Sequence, residues 1–259
     1  MTNIFPKFKI NAITYLLFLT FVLTGHIKNI ILIFLIVIVH ELGHIFFLKL
    51  FKYEIESVEI FPFGGFTKSY KYINTPIKQD MFIYIGGVLF QFFLLVIFYF
   101  LEQNFFISNQ TYNLFKTYNL SILVFNLLPI RPLDGGELFK LILESFCSYY
   151  KAQKIINFMS IVFLGIFLLI NIKFNLNNYV IISFLLVKIY NLIKEEKVYL
   201  NKFFLERFMY VFPYHKIKNE TKENLYLLKK DTYHYFYAQK RYISEKELLG
   251  RKFDINSHF

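Results

Sequence analysis

The 259-residue sequence has no tryptophan, a single cysteine and few charged residues. The single cysteine, Cys147, excludes a small fold held together by disulfides within the chain. With 18% charged and 56% hydrophobic residues, the chain is too apolar to remain disordered. Glycine (10 residues) and proline (6 residues) are also scarce, so the apolar excess comes from large side chains. With a mean hydropathy of +0.44, two classes of protein remain: a membrane protein, or a protein with an unusually large buried core.

The length of the apolar runs separates these two classes, because an AT-rich genome would by itself enrich Phe, Tyr, Ile, Asn and Lys. A helix needs about 20 predominantly apolar residues to cross a bilayer. Six runs meet or approach this length: residues 12–24, 30–50, 81–101, 118–130, 155–170 and 179–193. The sequence therefore predicts an α-helical polytopic membrane protein with about six transmembrane helices. The first run is short enough for a signal peptide, but no small-residue cleavage site follows it.

Basic residues lie mainly on one side of these six segments. Lys7 and Lys9 precede the first segment, five lysines lie at the end of the second segment or between it and the third, and four basic residues lie between the fourth and fifth. Under the positive-inside rule, both termini are predicted to be cytoplasmic in a cell membrane. The net charge of +11 then reflects orientation. Because acidic and basic residues are interspersed, nucleic acid is not expected as a partner.

The second segment contains three titratable residues, His40, Glu41 and His44, after a long apolar run. Ionisable groups cost about 2.5–3.5 kcal/mol each at the centre of a membrane helix and usually mark a functional site. Histidines four positions apart lie on one helix face, where both can bind one Zn²⁺ with the glutamate beside it as general base. The alternative is a chance match, although nothing in an apolar run requires these side chains for packing. By helix rise, His44 lies about 8 Å from Lys49, so the site is expected within the bilayer near the cytoplasmic side.

A catalytic zinc usually has a third protein ligand, which is expected from another segment at similar depth. Cys147 is the single cysteine, and the other histidines lie on the opposite side or in the C-terminal tail. Asp134 in NLLPIRPLDGG is therefore the candidate, with a plain Asp-Gly turn as the alternative. Asn126, near the end of an apolar segment, is able to donate to a reacting carbonyl; a hydrogen bond between helices is the alternative. Pro129 and Pro132 break the helix, so the backbone there must be buried or line a wet cavity.

HELGH in an apolar segment, followed by NLLPIRPLDGG at the end of a later one, resembles the site-2 protease family of intramembrane zinc metalloproteases, peptidase family M50. The resemblance covers roughly residues 5–195 and includes the FPFGG and IGG motifs. It implies one Zn²⁺ per chain, held by His40, His44 and Asp134, with Glu41 as the catalytic base. It also implies that Asn126 holds the substrate or the oxyanion. Four further residues are expected to position the substrate: Phe63, Gly64, Gly65 and Pro132.

Two positions depart from the pattern of the family. Gln91 stands where relatives usually carry asparagine, and Glu137 stands where a basic residue commonly follows the DGG motif. Neither residue belongs to the expected ligand set. Both departures are expected to alter how the substrate is positioned.

The resemblance implies hydrolysis of a peptide bond in or near a membrane segment of a substrate protein, with a sigma-factor precursor as one candidate substrate. Its expected partners are a membrane-associated protein substrate, the lipid bilayer, and inhibitory or delivery membrane proteins. A membrane transporter is an alternative, but the third and fifth segments offer few polar groups and no internal repeat is present. A non-catalytic metal-binding membrane protein is a second alternative, although non-catalytic relatives usually lose some of the metal-binding residues.

Two regions outside the six segments have recognisable patterns. Residues 53–66 alternate Glu with Ile and Val, with one slip at Ser57, which predicts a bulged strand closed by a glycine turn in a small membrane-associated hairpin. Its edge would pair with an extended substrate; the alternative is a simple amphipathic hairpin on the membrane surface.

The predicted domains are an intramembrane metalloprotease domain, residues 1–195, and a short cytosolic α/β tail, residues 196–259. In the tail we expect a helical continuation to Arg207, strands over 224–230 and 233–238, and a helix at SEKELLG. Sporulation-type members of the family often end in a CBS domain, which senses nucleotides. The tail is interpreted as a truncated remnant of such a domain.

Overall fold

The structure is a computed structural model that describes residues 7–10, 14–15, 19, 22–61, 64–170, 176–214, 216–238 and 240–253. Most of the first predicted membrane segment, residues 12–24, lies outside this part of the chain, as does Phe63. The chain divides into two compact units, residues 1–71 with 82–128 and residues 72–81 with 129–259. The predicted domain boundary at residue 195 stays a prediction.

The first unit is built mainly from three helices: α1 (Ile27–Leu50), most of α2 (Ile77–Gln103) and α3 (Asn109–Asn126). Helix α1 is apolar on nearly every face, as a helix surrounded by protein and lipid requires. Helix α3 begins after Ser108, whose hydroxyl accepts a hydrogen bond from the backbone N–H of Thr111. The three helices share one buried apolar cluster: Leu32, Ile36, Leu94, Phe98 and Phe115.

A three-stranded sheet accompanies these helices, in the order β1 (Lys7–Ile10), β2 (Ile55–Phe61) and β3 (Gly64–Ser69). Strands β2 and β3 are antiparallel, and their register shifts between Ile55 and Ser57. The predicted hairpin and its bulge are therefore confirmed. Strand β1 pairs in parallel with β2, which the sequence did not indicate because the two strands are far apart along the chain.

Three of the described helices are long and apolar enough to cross a membrane, over Ile27–Leu50, Ile77–Gln103 and Tyr149–Leu169. They correspond to the second, third and fifth predicted segments. The fourth and sixth predicted segments also coincide largely with helices, over Asn109–Asn126 and Leu176–Lys194. A mostly helical fold with a small sheet is confirmed, while the total of six spans stays a prediction.

The second unit contains helices α4 (Asp134–Phe146), α5 (Tyr149–Ile170), α6 (Leu176–Lys194) and α7 (Glu196–Met209), then strand β4 (Lys216–Glu220), a 3₁₀ turn (Leu225–Leu227), strands β5 (Thr232–Ala238) and β6 (Arg241–Ser244), and helix α8 (Glu245–Phe253). Strands β4 and β5 are parallel, and β5 and β6 are antiparallel. Helix α7 and the strands and helix that follow it pack on α5 through a buried aromatic core in which the Tyr149 and Phe203 rings stack 4.2 Å apart.

The tail predictions were partly right. The helix at SEKELLG, the strand over 233–238 and the helical continuation toward Arg207 are confirmed. The predicted strand over 224–230 is wrong, because the Asn224 side chain accepts from the backbone N–H of Tyr226 and starts a 3₁₀ turn. Strands β4 and β6 were missed, since neither has an apolar alternation strong enough to stand out in the sequence.

Candidate metal centre

His40, Glu41 and His44 form a buried cluster in the C-terminal half of α1. Their potential ligand atoms all lie within 4.8 Å of one another. The Nε2 atoms of His40 and His44 are 3.1 Å apart, and the two rings stand nearly perpendicular, at 80°. The predicted placement of both imidazoles on one helix face is therefore confirmed.

The other nitrogen of each imidazole is held from outside the cluster. His44 Nδ1 lies 2.7 Å from the backbone oxygen of Ile83, and because a carbonyl only accepts, this nitrogen donates. His40 Nδ1 lies 3.1 Å from Gln91 Oε1, and the amide nitrogen of Gln91 donates to Asn119 Oδ1 at 3.3 Å. This network turns the glutamine oxygen toward His40, so His40 Nδ1 donates as well. Each Nε2 is then a lone-pair acceptor, and the two atoms lie 3.1 Å apart.

This pair of acceptors fits a metal ion. Two lone pairs at 3.1 Å repel each other unless a cation binds both. Neutral imidazole nitrogens are common zinc ligands, and a ligating histidine usually donates its other N–H to an oxygen, as His40 and His44 both do. The residues present therefore fit Zn²⁺.

Gln91 supports His40 more directly than the sequence suggested. It was singled out as a departure expected to affect substrate positioning, yet the structure places it fully buried behind the histidine ring. The signal that could have found this role is its polarity in an otherwise apolar stretch of α2. A buried amide in such a helix needs a hydrogen-bond partner, and His40 and Asn119 provide two.

The variant Gln91→Leu is expected to weaken zinc binding by about 10- to 100-fold, because His40 Nδ1 would lose its acceptor and the ring its orientation. Competition between the detergent-purified protein and a chromophoric chelator measures this change. Gln153→Leu is a matched control, since Gln153 is a buried glutamine of α5 whose side chain has no hydrogen-bond partner in the described part of the chain. Equal zinc affinities for Gln91→Leu and the native protein would contradict this role.

Glycines bring the backbones of α1 and α2 into contact beside the cluster. A Cβ atom added to Gly43 would lie 2.2 Å from the backbone oxygen of Gly86. One added to Gly87 would lie 2.5 Å from His40 Cε1 and 2.7 Å from the Nε2 atoms of His40 and His44. Helix α2 therefore forms one wall of the centre.

Strand β3 covers the carboxylate of Glu41. The Thr67 hydroxyl donates to Glu41 Oε2 at 2.8 Å, and a Cβ atom on Gly65 would lie 2.5 Å from Glu41 Cδ. The sequence interpretation placed Gly65 at the site but missed Thr67. Residues two apart on a strand share a face, so the position of Gly65 was the signal that could have found it.

Asn126 and Gly64 belong to the same unit as the cluster. Asn126 is the last residue of α3 and is buried. Within the described residues its amide nitrogen has no hydrogen-bond partner. Gly64 is the first residue of β3. Phe63, also expected to position substrate, lies outside the described residues.

Asp134 and Pro132 belong to the second unit. Asp134 is the first residue of α4, and Pro132 follows a cis peptide bond from Arg131. The ligand role of Asp134 stays a prediction, as does the role of Pro132 in substrate positioning. Glu137, the second departure, accepts from Arg131 Nε at 2.7 Å, so an acidic residue at this position is paired with the preceding loop.

Comparisons with known proteins agree with these features. A family model described as peptidase family M50 matches residues 28–109 and 102–170. Stage IV sporulation protein FB of Bacillus subtilis is 35% identical over 189 residues, which cover 72% of this chain and 66% of that protein. A zinc metalloprotease of Methanocaldococcus jannaschii is 33% identical over 154 residues, which cover 55% of this chain and 44% of that protein.

A solved structure is also similar. The site-2 protease from Methanocaldococcus jannaschii superposes with a TM-score of 0.57 and 27% sequence identity, over 71% of this chain and 89% of that one. The chain thus spans most of the solved protein but less than two thirds of the length of either curated relative, at 66% and 44%.

Proposed function

Because this chain belongs to peptidase family M50, we propose that it is an intramembrane zinc metalloprotease, which hydrolyses a peptide bond in or near a membrane segment of a substrate protein. The observation that carries the proposal is the buried cluster of His40, Glu41 and His44 in a helix apolar enough to cross a membrane. The relatives and the three long apolar helices support a place in the cell membrane.

Zinc is the cofactor that the family and the name of the archaeal relative imply. His40 and His44 would hold it through Nε2, and Asp134 is proposed as the third ligand on the strength of the DGG motif. When bound, a zinc ion supplies Lewis acidity that activates water and polarises a carbonyl group. Gln91 and the Ile83 carbonyl keep both imidazoles in the orientation that this binding requires.

Glu41 is proposed as the general base. Its carboxylate takes the proton of the attacking water and then delivers a proton to the leaving amine. Thr67 holds one carboxylate oxygen, which fixes the direction in which Glu41 receives the proton. The Asn126 amide nitrogen, buried at the end of α3, is proposed to donate to the oxyanion that develops on the scissile carbonyl.

Strand β3 is proposed to align the substrate. In the described sheet, β1 occupies one side of β2 and β3 lies at the edge. An extended substrate segment that paired with this edge would run beside the strand that covers Glu41. Pairing of this kind requires a substrate helix to unwind, which exposes its peptide bonds for hydrolysis.

The substrate is proposed to be a membrane-tethered regulator, with a sigma-factor precursor as the first candidate. The identity of 35% with a protein named for sporulation supports this choice. From the distribution of basic residues we propose that both termini are cytoplasmic. Membrane proteins that inhibit the enzyme or deliver its substrate are proposed as further partners.

Removal of the metal tests the proposed function. The protein purified in detergent is expected to contain about one zinc per chain and to cleave a co-purified membrane-tethered substrate. Chelation followed by dialysis should abolish cleavage, and added Zn²⁺ should restore it whereas added Mg²⁺ should not, because Mg²⁺ prefers oxygen ligands. Full cleavage by the metal-free protein, or a zinc content near zero in the active protein, would refute the proposal.

A further inference from the structure

The start of α2 is held by three charged residues of the C-terminal tail. Asp231 Oδ2 accepts from the backbone N–H of Ile77 at 2.9 Å. Glu206 Oε2 accepts from the backbone N–H groups of Ile73 at 2.8 Å and Asn74 at 3.1 Å. Lys230 Nζ donates to the carboxylate of Asp80 in the first turn of the helix. The tail therefore binds the loop before α2 and the helix itself.

Lys230 also contacts α4. Its Nζ lies 3.8 Å from Glu144 Oε2, and the side chains of Lys230, Asp80 and Glu144 are 4%, 3% and 1% exposed. Thr75 Oγ1 donates to Asp80 Oδ1 at 2.9 Å, which completes the group around the ammonium. Burial by itself would lower the pKa of Lys230, but Asp80 and Glu144 raise it above its ordinary value, so the side chain stays charged. We call Lys230, Asp80 and Glu144 the ionic clamp.

Both helices joined by the clamp carry parts of the proposed active site. On α2, Ile83 lies one helical turn beyond Asp80, and its carbonyl oxygen is the acceptor for His44 Nδ1. Farther along the same helix, Gly87 and Gln91 contact the histidines. Helix α4 begins at Asp134, the proposed third ligand. Because α2 is one continuous helix, the clamp at its first turn holds the element that carries the groups behind the histidines.

From these contacts we propose that the tail is a positioning part of the protease. Lys230 holds the start of α2 to α4, and Glu206 and Asp231 fix the loop before α2, so that the groups behind the histidines keep their places. The proposal rests on the proposed function and gives the tail a role that needs no nucleotide. Lys230, Glu206 and Asp231 are positioning residues in this arrangement.

The principal test replaces Lys230 by Met, which removes the ammonium from between two buried carboxylates, of which Glu144 keeps Lys140 Nζ at 3.6 Å. With Co²⁺ in place of zinc, the visible absorption spectrum reports the geometry of the metal centre without any substrate. We expect Lys230→Met to change this spectrum and to lower kcat by about 10- to 100-fold with KM within about twofold. Lys230→Arg keeps the positive charge and should therefore retain most of the native Co²⁺ spectrum and most of the native kcat.

A second pair of variants avoids an unbalanced buried charge. Asp231 has a positive φ of 56°, so Asp231→Gly removes the carboxylate while keeping a suitable backbone, and Asp231→Asn keeps an acceptor for Ile77. We expect Asp231→Gly to show faster hydrogen exchange at residues 72–81 and an altered Co²⁺ spectrum. Asp231→Asn should show the native exchange rate and the native spectrum. Arg241→Met is the control, because it breaks an exposed tail ion pair with Glu247.

The outcomes separate this proposal from the proposed function. An altered Co²⁺ spectrum in Lys230→Met or Asp231→Gly, absent from Arg241→Met, supports the clamp even if no tested substrate is cleaved by the native chain. Folded Lys230→Met and Asp231→Gly proteins with native spectra would overturn it, even where the native chain cleaves substrate. If Lys230→Met does not fold, the Asp231 pair decides alone.

Discussion

The variant Glu41→Gln is expected to keep its zinc and to lose substrate cleavage by about 10²- to 10⁴-fold. Glutamine has nearly the shape of glutamate, and its amide oxygen can still accept from Thr67, which now donates to Glu41 Oε2 at 2.8 Å. The amide cannot take up a proton, so the attacking water would lose its base. Cleavage of a membrane-tethered substrate and zinc content are measured on the same purified sample.

Glu102→Gln is the matched control, because Glu102 lies near the end of α2 and its contact is with the neighbouring Gln103. This variant should cleave at the native rate. Near-native cleavage by Glu41→Gln would rule out Glu41 as the base. Loss of zinc together with activity in Glu41→Gln would instead show that the carboxylate is needed to assemble the centre.

The variant Gly87→Ala is expected to lose bound zinc, and cleavage with it. The added methyl would lie 2.5 Å from His40 Cε1 and 2.7 Å from both Nε2 atoms, which is closer than nonbonded carbon and nitrogen atoms approach. Neither ring can turn away without losing its Nδ1 hydrogen bond, to Gln91 for His40 and to Ile83 for His44. Zinc analysis after purification, with circular dichroism as a check on folding, measures the effect.

Gly165→Ala provides the comparison for this substitution. Gly165 also lies within a long apolar helix, α5, but nothing lies within 4 Å of a Cβ added there. This variant should bind zinc and cleave substrate as the native chain does. A normal zinc content in a folded Gly87→Ala protein would show that the histidines do not bind metal in the arrangement described.

The sequence predicted those parts of the centre that depend on local spacing. HELGH places two imidazoles on one face because a helix repeats every 3.6 residues, and the structure confirms this. The alternation over 53–66 predicted the hairpin, and the slip at Ser57 became the register shift. These features are encoded within a few residues of one another.

The parts that the sequence did not predict depend on contacts between distant residues. Thr67 donates to Glu41, 26 positions away, and Gln91 contacts His40, 51 positions away. Strand β1 pairs with a strand that begins at Ile55. The tail error had a local cause, since the apolar run after Asn224 resembles a strand until the asparagine side chain caps a turn.

The glycine contact between α1 and α2 also affects how the centre responds to its lipid surroundings. Spanning helices tilt when bilayer thickness changes, and side chains between two helices would then repack. Here the backbones of Gly43 and Gly86 touch directly, so the spacing at this point does not depend on any rotamer. The distance between the two helices beside the histidines is thus set by backbone atoms alone.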